Sequence, residues 1–194
     1  MVCPTGLRAG LATLSACLLA LTACTDDRPP APSPTPVQSS PAETQQERTV
    51  RLDKEAAENA YRAASGESDR LAMAGGADKP TKVITDNATG KYLDAVMRLG
   101  LSALKKNGWR TDRPAVTSVT ANGGWTPTEI GLTACEDASS VRLLDRSGKE
   151  VNQDRPRRFV QTLTARKVEG RWKIAEVESR IVKTFAHESG CSQS

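Results

Sequence analysis

Aromatic side chains are scarce in this 194-residue chain: Tyr61, Tyr92, Trp109, Trp125, Phe159, Trp172 and Phe185 are all it has. Ligand pockets draw heavily on aromatic rings, so a pocket here has few residues to use. Histidine is scarcer still, with His187 alone in a polar tail. One histidine excludes a two-histidine metal site and leaves a Ser-His-Asp triad a single unpromising candidate, so no metal, no cofactor and no catalytic residue is assigned. Charge of one sign is also lacking: 27 Lys and Arg against 23 Asp and Glu give +4. That balance is too small and too mixed to indicate a nucleic-acid partner. The apolar run Leu11 to Ala23 has thirteen residues, short of the ~20 that cross a bilayer as a helix. Internal repeats are absent.

What the chain does have is a short apolar run after Arg8, without acidic residues, that ends in Leu21-Thr22-Ala23-Cys24 and gives way to proline. An n-region, an apolar h-region and small residues before a cut site are the parts of a secretory signal. The tetrapeptide resembles a bacterial lipobox. The resemblance implies a diacylglycerol on the Cys24 thiol, cleavage of the Ala23-Cys24 bond, and a mature chain of 194 − 23 = 171 residues starting at Cys24. It also implies export, with the membrane as a partner through the lipid anchor on the extracytoplasmic face. Acyl chains at about 0.8 kcal/mol per buried methylene hold stably in pairs. An ordinary cleaved signal, with Cys24 incidental, is the alternative. Only Arg8 among the charged residues leaves with the signal, so the mature charge is 26 − 23 = +3.

Three stretches follow from this: a signal at 1–23, a tether at 24–49 and one folded domain at 50–194. The tether reads Thr-Asp-Asp-Arg-Pro-Pro-Ala-Pro-Ser-Pro-Thr-Pro and then Ser, Glu and Gln. It has too little apolar surface to order itself, and its prolines favour an extended spacer of ~3.1 Å per residue.

In the domain, Asp53 serves as an N-cap for Ala57, Ala60, Tyr61 and Ala64 at helical spacing, with an end or kink expected near Gly66 and a stop at Gly75-Gly76. Val83-Ile84 form a short apolar piece. From Thr89-Gly90 a second long helix places Leu93, Val96, Met97, Gly100 and Leu104 on one stripe and stops at Asn107-Gly108. Beyond Pro114 the period becomes alternating. Strands are expected at Val116 to Ala121 and Thr128 to Asp137, where Ile130, Leu132 and Ala134 share one face and Gly131, Thr133 and Cys135 the other. A ribbon turns at Asp145 to Gly148, and two longer strands, Arg158 to Val168 and Arg171 to about Phe185, meet at Glu169-Gly170. Helices first and strands afterwards is the order of an α+β domain, with N-terminal helices packed against an antiparallel sheet. The core set is Leu93, Val96, Met97 and Leu104 with Ile130, Leu132, Leu163, Trp172 and Ile174.

The Gly170-Arg171-Trp172-Lys173-Ile174 hairpin resembles the last hairpin of the nuclear-transport-factor-2-like families, which include polyketide-cyclase-like and ketosteroid-isomerase-like proteins. That resemblance implies a cone-shaped, cystatin-like roll in which a curved antiparallel sheet wraps the helices. On such a cone a cyclase or isomerase needs an acid or base in apolar surroundings. Tyr61, Tyr92, Glu129 and Asp137 are the candidates, with Trp172 as a further pocket residue.

After export and acylation of Cys24, Cys135 and Cys191 remain in an oxidising setting. Two thiols allow one intramolecular bond, which would clip the C-terminal tail to the strand of Cys135; free or intermolecular thiols are the alternative. Other motifs are explained without function. Ser102-Ala103-Leu104-Lys105 matches Ser-x-x-Lys, which is common by chance, and Lys183-Thr184-Phe185 lacks the companion glycine. Asn87-Ala88-Thr89 reads as a helix entry and Arg155-Pro156-Arg157-Arg158 as a solvated strand entrance. The expected function is a lipid-anchored extracytoplasmic binding or scaffold module without catalysis, its protein partner or small ligand unassigned. A cyclase- or isomerase-like enzyme is the alternative. An accessory subunit of a secretion or conjugation apparatus is another, although such subunits usually carry a transmembrane helix.

Overall fold

The computed structural model describes residues 43–151, 156–186, 188, 190 and 191. The signal, Cys24, the tether up to residue 42 and His187 lie outside these residues. The chain divides into two units after Pro41, and the described residues all belong to the second.

Its first helix, α1 (Gln45–Met73), begins well before Asp53. The reason is a capping box missed in the polar run. The Thr44 hydroxyl accepts from the Glu47 N–H at 3.2 Å, and the Glu47 carboxylate accepts from the Thr44 N–H at 2.8 Å, satisfying two donors at the helix start. Gly66 lies inside α1 and faces open space. Its cost of about 1 kcal/mol against alanine does not stop a helix held by its buried face of Ala57, Ala60, Tyr61 and Ala64. The expected stop holds: α1 ends before Gly75 and Gly76, both at positive φ. A side chain at Gly76 would collide with the carbonyl of Leu101.

Thr81 caps the short α2 (Lys82–Asn87), which buries Ile84. Three helical pieces then follow without a break: α3 (Gly90–Asp94), a π-helical segment (Ala95–Leu101) and α4 (Ser102–Asn107). Gly90 has φ 54°, and a Cβ there would lie 2.9 Å from the Ala175 carbonyl oxygen. This close approach lets the Thr89 N–H donate to Ile174 O at 2.8 Å, fastening the helix start to the sheet.

The remaining elements are strands: β1 (Arg110–Thr111), β2 (Val116–Thr120), β3 (Glu129–Asp137), β4 (Leu143–Leu144), β5 (Arg158–Val168) and β6 (Arg171–Ile181). β2, β3, β5 and β6 form an antiparallel sheet in that order, and β1 pairs with β4 in a separate ribbon. The ribbon partner of Leu143–Leu144 was not expected. The turn after it was, and the Asp145 carboxylate accepts from the N–H groups of Ser147 and Lys149. The register of β5 against β6 shifts at Thr164/Ala165, and such a bulge bends and twists a sheet locally.

The domain is therefore α+β, with α1 packed on an antiparallel sheet that does not close into a barrel. Tyr61, Ile84, Leu101, Ile130, Leu132, Leu163 and Ile174 are its largest fully buried side chains. Burial of each contributes roughly 1.5–3 kcal/mol. Four expected core residues sit differently. Leu93, Val96 and Met97 are half-buried at the edge of the core, and Leu104 is half-buried outside it. Tyr92 and Leu101 take the inward places. They are nine positions apart, about two and a half α-helical turns, so a regular helix would point them to opposite sides. The wider turns of the π segment change that phase.

On the outer face of the sheet Cys135 is bonded to Cys191, with 5.7 Å between their Cα atoms. Cys135 is buried there although it alternates with the core residues of β3. No helix among the described residues is long and apolar enough to cross a membrane.

Candidate functional site

The inner face of the sheet is apolar at one end and polar at the other. On β3 it runs Ile130, Leu132, Ala134 and then Glu136. On β5 the partners of these are Ala165, Leu163, Gln161 and Phe159, and Ser179 pairs with Gln161 from β6. Cross-strand partners share a face, so the core gives way to Glu136, Gln161 and Ser179 at one edge. Above that edge α1 changes in the same way. Tyr61, Ser65, Ser68 and Asp69 follow the buried alanines on one helical face, while the π segment brings Ala95, Val96 and Leu99 from the other side. Between them lies a cleft of about 490 Å³, to which Tyr92, Phe159 and Val177 also contribute.

Some of its polar groups are linked to one another and others are not. The Tyr61 hydroxyl donates to Gln161 Oε1 at 3.2 Å, and Gln161 Nε2 donates to Glu136 Oε2 at 3.1 Å. The Tyr92 ring is only 5% exposed and packs 6.2 Å from that of Tyr61, tilted by 52°. Its hydroxyl has no hydrogen-bond partner among the described residues, yet no fully buried polar atom is left unsatisfied. The oxygen therefore keeps its opening into the cleft. Asp69 likewise has no hydrogen bond or ion pair there. Burial, and then the charge of Glu136, push its carboxyl up to about 6. Burial is also the main cause of the upward shift of both tyrosine hydroxyls, so each remains a proton donor at neutral pH. No Lys, Arg or His is among the described residues lining the cleft.

Of the five expected pocket residues the structure brings Tyr61 and Tyr92 together and sends three elsewhere. Glu129 is exposed at the far end of β3, paired with Arg166 at 3.3 Å. Asp137 follows Glu136 and so turns to the outer face, where it holds Arg158 at 2.8 Å. Trp172 is buried at the apolar end, its Nε1 donating to Asp53 Oδ1 at 2.8 Å. Asp53 is thus not an N-cap. From the middle of α1 it also accepts from Trp125 Nε1 at 3.4 Å and pairs with Lys167 at 3.2 Å, and the Lys167 ammonium sits 5.2 Å from the Trp172 ring centroid. This cluster ties the last hairpin to the helix.

No family model and no curated protein matches the chain. Among solved structures it is similar to the intermembrane space region of the chloroplast protein ARC6, at 15% identity over 67% of this chain and 98% of that one, with a TM-score of 0.47. An NTF2-like protein with a cystatin-like fold from Novosphingobium aromaticivorans shares 15% identity over 74% of this chain and 94% of its own, TM-score 0.37. A cystatin-like protein of unknown function from Nostoc punctiforme shares 14% over 73% and 95%, TM-score 0.28. These likenesses are distant, and the chemistry of the cleft has to be read from its own residues.

Asp69 and Glu136 were missed in the sequence although a signal for each was present. Glu136 continues the alternation Ile130, Leu132, Ala134 and so sits in phase with the core. Asp69 lies eight residues after Tyr61, on the same face of a helix that was expected to break at Gly66. The remaining motifs have structural partners. Ser102 donates to Ala77 O and Lys105 pairs with Asp78. Arg157 donates to Val141 O and Arg158 to Lys183 O.

Proposed function

We propose that this chain is an exported lipoprotein, anchored through an acylated Cys24 on the extracytoplasmic face of the membrane, whose domain binds a small organic molecule in the cleft without transforming it. The lipobox residues support the anchor. One observation carries the binding role: a cleft of about 490 Å³, within the size range of small-molecule sites, into which a buried tyrosine hydroxyl opens unpartnered. Apolar side chains at Val96, Phe159 and Val177 supply the desolvated wall such a ligand needs. A library of small aromatic compounds, screened by ligand-observed NMR against the full chain in detergent, tests this. Compounds should bind, remain chemically unchanged, and be displaced by Ala95→Trp, which fills the cleft. A library without a single cleft binder overturns the reading.

The second reading, a cyclase or isomerase, is favoured by Asp69. A carboxyl near 6 beside a tyrosine donor is suited to moving protons at neutral pH. Turnover of any bound compound, lost in Asp69→Asn, would decide for it.

A further inference from the structure

The cleft has a charge preference built into it. Asp69 presents a carboxylate with no hydrogen bond and no ion pair among the described residues, and Glu136 adds a second acidic group on the opposite wall. No Lys, Arg or His among the described lining residues balances Asp69. An anionic ligand would be repelled by Asp69. Tyr92, a residue only 5% exposed, offers a hydroxyl oxygen still open to the cavity, able to accept one hydrogen bond from a ligand. Val96 and Leu99 from the π segment and Phe159 and Val177 from the sheet supply apolar lining. Among the described residues no three His, Cys, Asp or Glu side chains gather as a metal site, so the geometry favours an organic cation over a divalent ion.

Resting on the proposed binding role, we infer that the cleft takes a small apolar molecule bearing one protonated amine. The ammonium lies at Asp69 and the Tyr92 hydroxyl, and the hydrocarbon or aromatic body lies along Val96, Phe159 and Val177. The titratable groups that face the ammonium are Asp69, Glu136, Tyr61 and Tyr92.

Three matched compounds separate this inference from the binding role itself: 2-phenylethylamine, 2-phenylethanol and phenylacetate. They share the ring and chain and differ in charge. Each is titrated calorimetrically into the full chain in detergent at pH 7.5, with heats from empty micelles subtracted. The amine should bind about tenfold or more tightly than the alcohol, since hydrogen bonds to charged groups contribute on that order, and phenylacetate more weakly than the alcohol. Asp69→Asn should bring the amine down to the level of the alcohol while leaving the alcohol within about twofold. Its thermal transition checks that the variant is folded. Equal binding of amine and alcohol, tighter binding of phenylacetate, or an amine affinity untouched in folded Asp69→Asn overturns the cation preference and leaves the cleft a binding site. Binding by none of the three overturns this inference, and the library screen decides the binding role by itself.

Discussion

Asp69 weakens the fold in order to be available in the cleft. Its carboxyl is raised from 3.8 to about 6, chiefly by burial, so between these values the folded state holds a proton that the unfolded state has released. The contribution of Asp69 to stability must then fall as pH rises from about 4 to about 6. Replacing Asp69 by Asn removes the desolvated charge. The variant should melt above wild type at pH 7 and level with it near pH 4, and parallel melting curves at both pH values would remove this account. Carboxylates shifted the other way, Glu67 and Asp112, are the same in both proteins and cancel in the comparison. Asp53 is the opposite case, a charged residue that supports the fold. Asp53→Ala strands the buried indole N–H of Trp172 and should cost roughly 1–3 kcal/mol, whereas Asp53→Asn keeps an acceptor and should cost less. Chemical denaturation of the two variants checks this, and equal losses below about 0.5 kcal/mol would contradict it.

The π segment is where element-level reasoning from the sequence broke down and where the cleft is made. A stripe at 3.6-residue spacing picked Leu93, Met97 and Leu104 as core. Widened turns between Ala95 and Leu101 instead carry Tyr92 and Leu101 inward and leave Leu99 70% exposed. Leu101→Ala should therefore cost about 2–5 kcal/mol, as truncations of fully buried leucines do, and Leu104→Ala clearly less. Urea denaturation that ranks them the other way would restore the regular helix. The strands were legible for a reason that does not apply to helices. A strand's period of two is set by the pleat, so Ile130, Leu132 and Ala134 announced both their element and their face, and Glu169-Gly170 announced the hairpin. A helix can add a residue to a turn without changing its composition, and no residue in Ala95–Leu101 signals that it does. The start of α1 was legible and missed, because Thr44-x-x-Glu47 lies in a run whose polarity suggested tether. The candidate site was half legible: Tyr61 and Tyr92 stand out in a chain poor in aromatics, but a lone acidic residue in phase with a core is easily read as surface.

At the scale of the whole molecule two constraints of different kinds meet, the proposed anchor at Cys24 and a covalent clip between Cys135 and Cys191. The bond between Cys135 and Cys191 spans 56 residues of sequence and encloses β4, β5 and β6. Closing a loop of that length restricts the unfolded chain by about 4 kcal/mol in the chain-entropy account, a large share of the 5–15 kcal/mol that stabilises a typical domain. It does not bear on the proposed acylation of Cys24, which lies far ahead of it in the sequence. Cys191→Ser should accordingly lower the denaturation midpoint of the full chain measured without reductant, and dithiothreitol should bring wild type down to the same value. Its partition into detergent should not change. Cys24→Ser should do the reverse, leaving the midpoint in place while the protein leaves the membrane fraction or persists as uncleaved precursor. The double variant should show both effects at their single-variant sizes, since distant sites without shared partners behave additively. A Cys24→Ser protein that still partitions into detergent at the mature mass would remove the anchor, and a Cys191→Ser midpoint equal to wild type would remove the clip, each leaving the other standing.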